Sequence, residues 1–303
     1  MLVTRVRFWV LAFLLFVYLA GVLILSAVTF HDPGSGAGNS KGTDYTLHAS
    51  RLKHFEYAVP GFRPPLKRSK IQWCGNLQYF DPPRSPIALA SFPGSGNTWL
   101  RYLLQQSTGI YTGSVYKDYG LLKNGFPAES VTNGSVLVVK THEWGPTARS
   151  KFAKAILLIR TPGAAIQAEF NRQSGGHIGF ASPDRYKRTK GKYWQQFVTD
   201  KLQGWKLMNL DWLYNFTGPT HVIFYEQLVE NTEHTLRSIL EFMEVPIQPR
   251  FKCAVERKEG IYRRKKRVLN FDPYTAKMKK MLEEVRTTVY DAIYSFASPA
   301  PMR

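Results

Sequence analysis

The stretch SFPGSGNTWLRYLL, Ser91 to Leu104, constrains this chain more than any other segment. An apolar run, Ile87 to Phe92, reads as a buried strand. It stops at Pro93 in a small-residue turn, Gly94-Ser95-Gly96, and Asn97 and Thr98 then open a segment whose apolar residues (Trp99, Leu100, Leu103, Leu104) have helical spacing. A strand, a glycine turn and a helix start make an anion site. The first backbone N–H groups of a helix lack internal partners, and the helix dipole adds partial positive charge there. Glycines let the backbone approach a bulky phosphate closely.

Three more apolar runs, Val136–Lys140, Ile156–Arg160 and Val222–Tyr225, are short and lack alternation, as strands buried on both faces of a parallel sheet do. Helices are predicted over Trp99–Gln106, Tyr193–Tyr214 and Thr232–Met243, the last with Leu236, Ile239, Leu240 and Met243 on one stripe. Strand and helix in alternation predict an α/β three-layer domain with a central parallel sheet. Ligands of such folds bind beyond the carboxyl ends of the strands. The first three strands end there in Pro93-Gly94, Lys140-Thr141-His142 and Arg160-Thr161.

The chain has 303 residues, with 41 Lys and Arg against 22 Asp and Glu, a formal charge of +19. Such a balance predicts an anionic partner. From Phe8 to Phe30 no charge interrupts an apolar run long enough to span a bilayer as a helix. Arg5 and Arg7 precede it, so the positive-inside rule keeps residues 1–7 cytosolic and sends the rest across. An uncleaved anchor over 8–30 is favoured over a cleaved signal peptide, whose apolar core would be shorter. Residues 31–72 read as a lumenal stem, rich in Gly, Ser and Asn at first and in Pro further on. The folded domain then runs over 73–303. A single-pass type II protein of the Golgi membrane is the expected placement. Asn133-Gly-Ser and Asn215-Phe-Thr are sequons usable only in a lumen. The two cysteines, Cys74 and Cys253, are either bridged in an oxidising compartment or two buried thiols.

The glycine turn is not a Walker A loop, which needs GxxxxGK followed by Ser or Thr. PGSGNTW resembles instead the 5′-phosphosulfate loop of the sulfotransferases, commonly PKSGTTW, with Pro93, Ser95, Gly96, Thr98 and Trp99 matching. The resemblance continues in the family's order. VVKTHEW is similar to the segment that carries the catalytic histidine, here His142. ILLIRTPGAAIQAEFNR is similar to the 3′-phosphate-binding strand and helix, with Arg160 at the strand end. HVIFYEQLVEN carries a Tyr-Glu pair, Tyr225 and Glu226, and ERKEGIYRRKK an Arg-Lys-x-Gly core, Arg257, Lys258 and Gly260. The match covers about Ser85 to Arg267. FPGSGNTWLRYLLQ and the IRTP…AEFNR…GHIGFA stretch look closest to the WSC-domain-containing sulfotransferases, some of which resemble sialate O-sulfotransferases. With Cys74 alone ahead of the catalytic segment, this sequence resembles a short member without the cysteine-rich module.

The resemblance implies a P-loop-NTPase-like sulfotransferase fold and the donor 3′-phosphoadenosine 5′-phosphosulfate (PAPS). It implies that Pro93, Gly94, Ser95, Gly96, Asn97 and Thr98 wrap the phosphosulfate, that Trp99 stacks on adenine, and that Arg160 with Arg257 and Lys258 takes the 3′-phosphate. Tyr225 and Gly260 complete the nucleotide site. His142 is the expected general base and Lys140 the cation on the leaving group. The acceptor is expected to be a hydroxyl of a glycan, on glycoprotein or glycolipid and sialylated in one version. Tyr186, Tyr193 and Trp194 among Arg185, Lys187, Arg188 and Lys192 are candidates to stack on sugar. No metal and no nucleic acid are implied.

Two positions depart from the family pattern. Gly94 stands where the common loop has Lys, so Lys140, Arg101 or another cation must compensate. Ala168 stands where the 3′-phosphate serine falls, leaving Asn171, Arg172 or Ser174 as substitutes. His177 and Glu143 are secondary candidates. The alternative reading is a catalytically weak lumenal protein that binds acidic glycan on the same fold.

Overall fold

The computed structural model describes residues 71–264 and 267–297. The predicted tail, the anchor over 8–30 and all but the last two residues of the stem lie outside them. No helix among the described residues is long and apolar enough to cross a membrane.

The chain runs β1 (Ile87–Ala90), α1 (Asn97–Thr108), β2 (Gly113–Ser114), α2 (Tyr119–Leu122), β3 (Val139–Thr141), α3 (Pro146–Arg149) and β4 (Lys154–Ile159). It continues through α4 (Pro162–Gly175), α5 (Pro183–Lys187), α6 (Lys192–Tyr214), β5 (Thr220–Phe224), α7 (Tyr225–Glu230), α8 (Thr232–Phe242), α9 (Arg250–Glu256) and α10 (Ala276–Ala297). The five strands form one sheet in the order β2-β3-β1-β4-β5. Every pairing is parallel. β1 is central, with Leu89 beside Lys140 of β3 on one side and beside Ile156 of β4 on the other.

The apolar runs without alternation have their predicted cause. On one face Ala88, Ala90, Val139, Ala155, Leu157 and Ile159 pack under α4, α6 and α10. On the other, Leu89, Val138, Ile156, Leu158 and Ile223 pack under α1, α8 and α9. A strand with a helix layer on both sides has no solvent face, so it needs apolar residues at every position.

β2 is two residues long, too short for any sequence signal. α10 also goes unpredicted: its apolar stripe (Met278, Leu282, Val285, Val289, Ile293) lies in a charge-rich stretch. Cys74 and Cys253 are joined as a disulfide, with Cα atoms 6.0 Å apart across 179 residues. The bridge ties the first described residues to α9, where Arg250 Nη1 also donates to the Asn76 carbonyl. Asn133 and Asn215 are exposed.

Candidate active site

The glycine loop leaves β1 at its carboxyl end and enters α1. Both glycines are left-handed, Gly94 at φ 88° and Gly96 at φ 99°. Neighbours forbid a side chain at either. A Cβ on Gly94 would lie 2.2 Å from the Ala165 carbonyl oxygen and 2.8 Å from the Glu169 nitrogen, both on α4. A Cβ on Gly96 would lie 2.6 Å from the Tyr225 ring. The lysine missing from position 94 is therefore explained by packing: α4 lies directly on the loop backbone.

Asn97 anchors the turn from below. Its Nδ2 donates to the Leu89 carbonyl and to Ser91 Oγ, each at 3.0 Å. Pro93, Gly94, Gly96, Asn97, Thr98 and Trp99 line a cavity of about 1320 Å³ at the carboxyl edge of the sheet. Ser95 does not. It is fully buried off that wall, and its Oγ has no hydrogen-bond partner among the described residues. Of the two hydroxyls expected on the phosphosulfate, Thr98 alone faces the cavity.

Trp99 is 2% exposed, held by an Nε1 hydrogen bond of 2.7 Å to the Lys258 carbonyl and by the edge of Tyr225. It joins α1 to the segment after α9 and offers the cavity only a margin. Arg160 reaches back to the loop, donating from Nη1 to the Gly94 carbonyl at 3.0 Å while its guanidinium lies 4.2 Å from the centre of the Tyr225 ring. Both Arg160 and Tyr225 line the cavity.

Arg257, Lys258 and Gly260 are not on the cavity wall. Arg257 is exposed and donates to the Gln72 carbonyl, while its own carbonyl accepts from Tyr102. Gly260 packs against the Tyr102 ring. With the backbone pinned at 257 and 258, the following residues turn inward, and Arg263, Arg264 and Arg267 line the cavity instead. Arg264 binds the Ala168 carbonyl at 2.9 Å and the carbonyls of Gly176 and His177. It thus clamps the end of α4, where the family pattern has a serine. Asn171 and Arg172 also reach the wall, and Arg172 is held bidentately by Glu169 at 2.6 and 2.7 Å. Ser174 does not reach it; its Oγ donates to the Phe170 carbonyl.

Lys140 in β3 and His142 just after it stand next to the loop and line the same cavity. His142 Nδ1 lies 2.6 Å from the Ser91 carbonyl oxygen. A carbonyl only accepts, so Nδ1 carries the proton and Nε2 keeps the free lone pair. Burial, followed by the Lys140 charge, lowers the imidazole to about 3 and holds it neutral. Lys140 is 6% exposed and makes no ion pair among the described residues. Burial first, then the Arg101 charge, brings it down to about 8.

Arg101 is not the compensating cation. It is fully buried, paired with Glu129, and bonded to Thr112 through Nε and Nη2 at 2.9 Å each. Glu143 is exposed and accepts from Tyr116 Oη at 2.6 Å. Tyr186 and Trp194 are 4% and 2% exposed, locked against Phe170 in an aromatic cluster; Tyr186 reaches the cavity wall and Trp194 does not. Among the described residues no group of three His, Cys, Asp or Glu is placed to hold a metal.

Sequence reasoning missed Tyr116 and two tryptophans of α6, Trp205 and Trp212. Tyr116 stacks on the His142 ring at 5.7 Å and accepts the His142 backbone N–H at 3.1 Å. Trp205 and Trp212 donate indole N–H bonds to the carbonyls of Arg160 and Glu143, fixing the strand ends that carry the site. Their spacing shows a core helix in the sequence, but not which loops the indoles hold.

Fold and site together define a three-layer parallel α/β protein with a glycine loop at a helix start and a neutral histidine just after the neighbouring strand. No family model matches the chain. It is 53% identical to a WSCD family member of Aedes aegypti over 96% of this chain and 98% of that protein. It is 52% identical to a WSCD family member of Drosophila melanogaster over 94% and 96%. The chain belongs to the WSCD family. Among solved structures it is similar to a mouse sulfotransferase complexed with PAP, at TM-score 0.45 and 16% identity over 70% of this chain and 89% of that one. It is also similar to retinol dehydratase with androsterone and PAP, at TM-score 0.35 and 13% identity over 72% and 82%.

Proposed function

We propose that this protein is a PAPS-dependent sulfotransferase that moves a sulfuryl group to a hydroxyl of a glycan, with His142 as general base. One observation carries the reading. The imidazole whose Nδ1 proton is spent on Ser91 follows the strand paired with β1 and shares a cavity with the glycine loop, so its free Nε2 is available where a loop-bound anion would react.

In this reading the acceptor oxygen attacks sulfur and the bond from sulfur to the 5′-phosphate oxygen breaks. Its electron pair leaves with 3′-phosphoadenosine 5′-phosphate (PAP), and the hydroxyl proton passes to His142 Nε2. The free N–H groups at the start of α1 and the Lys140 ammonium stabilise the charge that builds on the leaving oxygen. An incoming anion also offsets the cations that depress His142, which raises its affinity for the proton. Lys140, with no carboxylate of its own, takes the place of the loop lysine that α4 excludes.

A lumenal Golgi site on a type II anchor is part of the proposal. It is supported by the apolar run over 8–30, by the exposed sequon asparagines and by a disulfide, which persists in oxidising compartments. The test is transfer of labelled sulfate from PAPS to glycoprotein glycans, with PAP binding measured by thermal shift. Saturable PAP stabilisation together with transfer that His142→Ala abolishes is the expected result. Retention of acidic glycan without any PAP response would overturn the reading in favour of a binding protein.

A further inference from the structure

The carboxyl edge of the sheet has an order of its own. From one side it presents Tyr116 to Asp118 after β2, Lys140 in β3 and His142 after it, the glycine loop after β1, Arg160 after β4 and Tyr225 after β5. All of these reach the single cavity. In-line transfer puts the entering and leaving oxygens on opposite sides of the moving group. With the leaving phosphate on the β1 loop and the base on β3, the entering hydroxyl comes from the β2 side.

That side holds a pair the mechanism does not use. His177 Nε2 lies 2.7 Å from Asp118 Oδ2, and both residues line the cavity. Asp118 Oδ1 caps α2 by accepting from Leu121 N at 3.0 Å. His177 is held from behind, its carbonyl bonded to Arg264. Burial foremost, with the Lys140 and Arg172 charges, lowers His177 below its ordinary value despite Asp118, so the neutral imidazole gives its Nε2 proton to Asp118 and keeps a lone pair on Nδ1. A neutral histidine on a carboxylate has lone pairs to offer and no proton to spare, which suits O–H donors. Exposed aromatic residues follow both loops in the chain. Tyr119 is 64% exposed, and Trp144, two residues past His142, is 45% exposed. Tyr116 joins their two loops by its bonds to His142 N and Glu143.

We propose that the Asp118–His177 pair is the acceptor subsite and that it holds a second hydroxyl of a polyhydroxyl, saccharide-type acceptor, with the exposed Tyr119, next to Asp118 in the chain, against the sugar face. This deepens the sulfotransferase reading and rests on it. It also moves sugar recognition from the buried Tyr186 and Trp194 to the β2 side.

The test uses the full chain with PAPS and glycans released from fetuin as acceptor probe. The variants are Asp118→Asn, which keeps an oxygen to cap α2, and His177→Ala. Each is expected to raise the acceptor KM about tenfold, as loss of one hydrogen bond to a charged or paired group does. The Kd for PAP stays within twofold, and the double variant is no worse than the single ones because the pair acts as a unit. A structural latch between α2 and the end of α4 would instead lower Tm and leave the acceptor KM alone, which overturns the proposal. So does an equal loss of PAP affinity, which would place the pair on the donor side. A wild-type protein that binds PAP but labels no fetuin glycan overturns the saccharide acceptor while leaving the donor site standing. Failure to bind PAP overturns the sulfotransferase reading beneath it.

Discussion

His142 Nδ1 is 2.6 Å from the carbonyl oxygen of Ser91, so the residue that closes β1 selects the tautomer of the histidine that follows β3. The two strands are directly paired, and the bond crosses between them. His142→Ala is expected to reduce sulfate transfer by about 10²- to 10⁴-fold while PAP still stabilises the protein. Burial of that imidazole, followed by the Lys140 charge, gives a pH signature, which the bond to Ser91 opposes. The ordinary value near 6.5 belongs to the unfolded chain, and about 3 to the fold. Between them the unfolded state binds the extra proton, so stability falls as pH drops below about 6.5 and is fully present above it. Urea midpoints followed from pH 7 to pH 4 should fall less steeply in His142→Gln than in the wild type.

Tyr116 lies against both His142 and Lys140, with its ring stacked on the imidazole and the Lys140 ammonium 5.6 Å from the ring centre. Burial, then the bond to Glu143, raises its phenol, so it stays protonated. Tyr116→Phe keeps the ring and loses the hydroxyl that accepts the His142 N–H. The expected result is a kcat about fivefold lower, with the KM for PAPS unchanged, since one backbone bond is worth about 1 kcal/mol. Tyr116→Leu loses both contacts and falls further. Steady-state kinetics of the two variants separate the ring from the hydroxyl.

Lys140 at about 8 is partly deprotonated in mildly alkaline solution. A bound anion favours the ammonium and raises that value. PAP binding should therefore take up a proton above about pH 8 and weaken as pH rises further. Calorimetry in two buffers of different ionisation enthalpy reads the proton directly. Lys140→Met should remove the uptake and cost about 10²- to 10³-fold in kcat.

Gly94→Lys restores the common loop residue of the sulfotransferases on paper only. The new Cβ meets the α4 backbone at Ala165 and Glu169, at a φ of 88° that side chains rarely adopt. A loss of about 1–3 kcal/mol and weaker PAP binding are expected, not a gain in activity. Thermal melts with and without PAP decide between these outcomes.

Arg101→Met leaves Glu129 charged and buried without its partner. Removing one member of a buried pair destabilises by about 3–5 kcal/mol. Double replacement of Arg101 and Glu129 by apolar residues should recover most of the loss. At temperatures where the single variant is folded, its sulfate transfer should be near wild type, because Arg101 lies off the cavity wall.

The glycine loop, the Lys-Thr-His strand end and the three-layer architecture were legible in the residues because each is a local matter. Positive φ demands glycine, a doubly covered strand demands continuous apolar residues, and a helix start exposes N–H groups wherever the chain turns into it. Arg257 misled because its motif marks the correct segment but not the side that faces inward. Tyr102 and Trp99, 155 and 159 residues away, pin that backbone and hand the wall to Arg263 and Arg264. Tyr186 and Trp194 carried the composition of a sugar platform, and Phe170 claims them for the core.

What the sequence by itself determined is where an anion can be held and which strand ends surround it, since dihedral preference and burial pattern act within a few residues. Only the tertiary structure decided which cations face that anion, why position 94 has no side chain, and that Asp118 and His177 meet at 2.7 Å from 59 residues apart. Those outcomes depend on the close approach of distant segments, and no local preference encodes the distance between them.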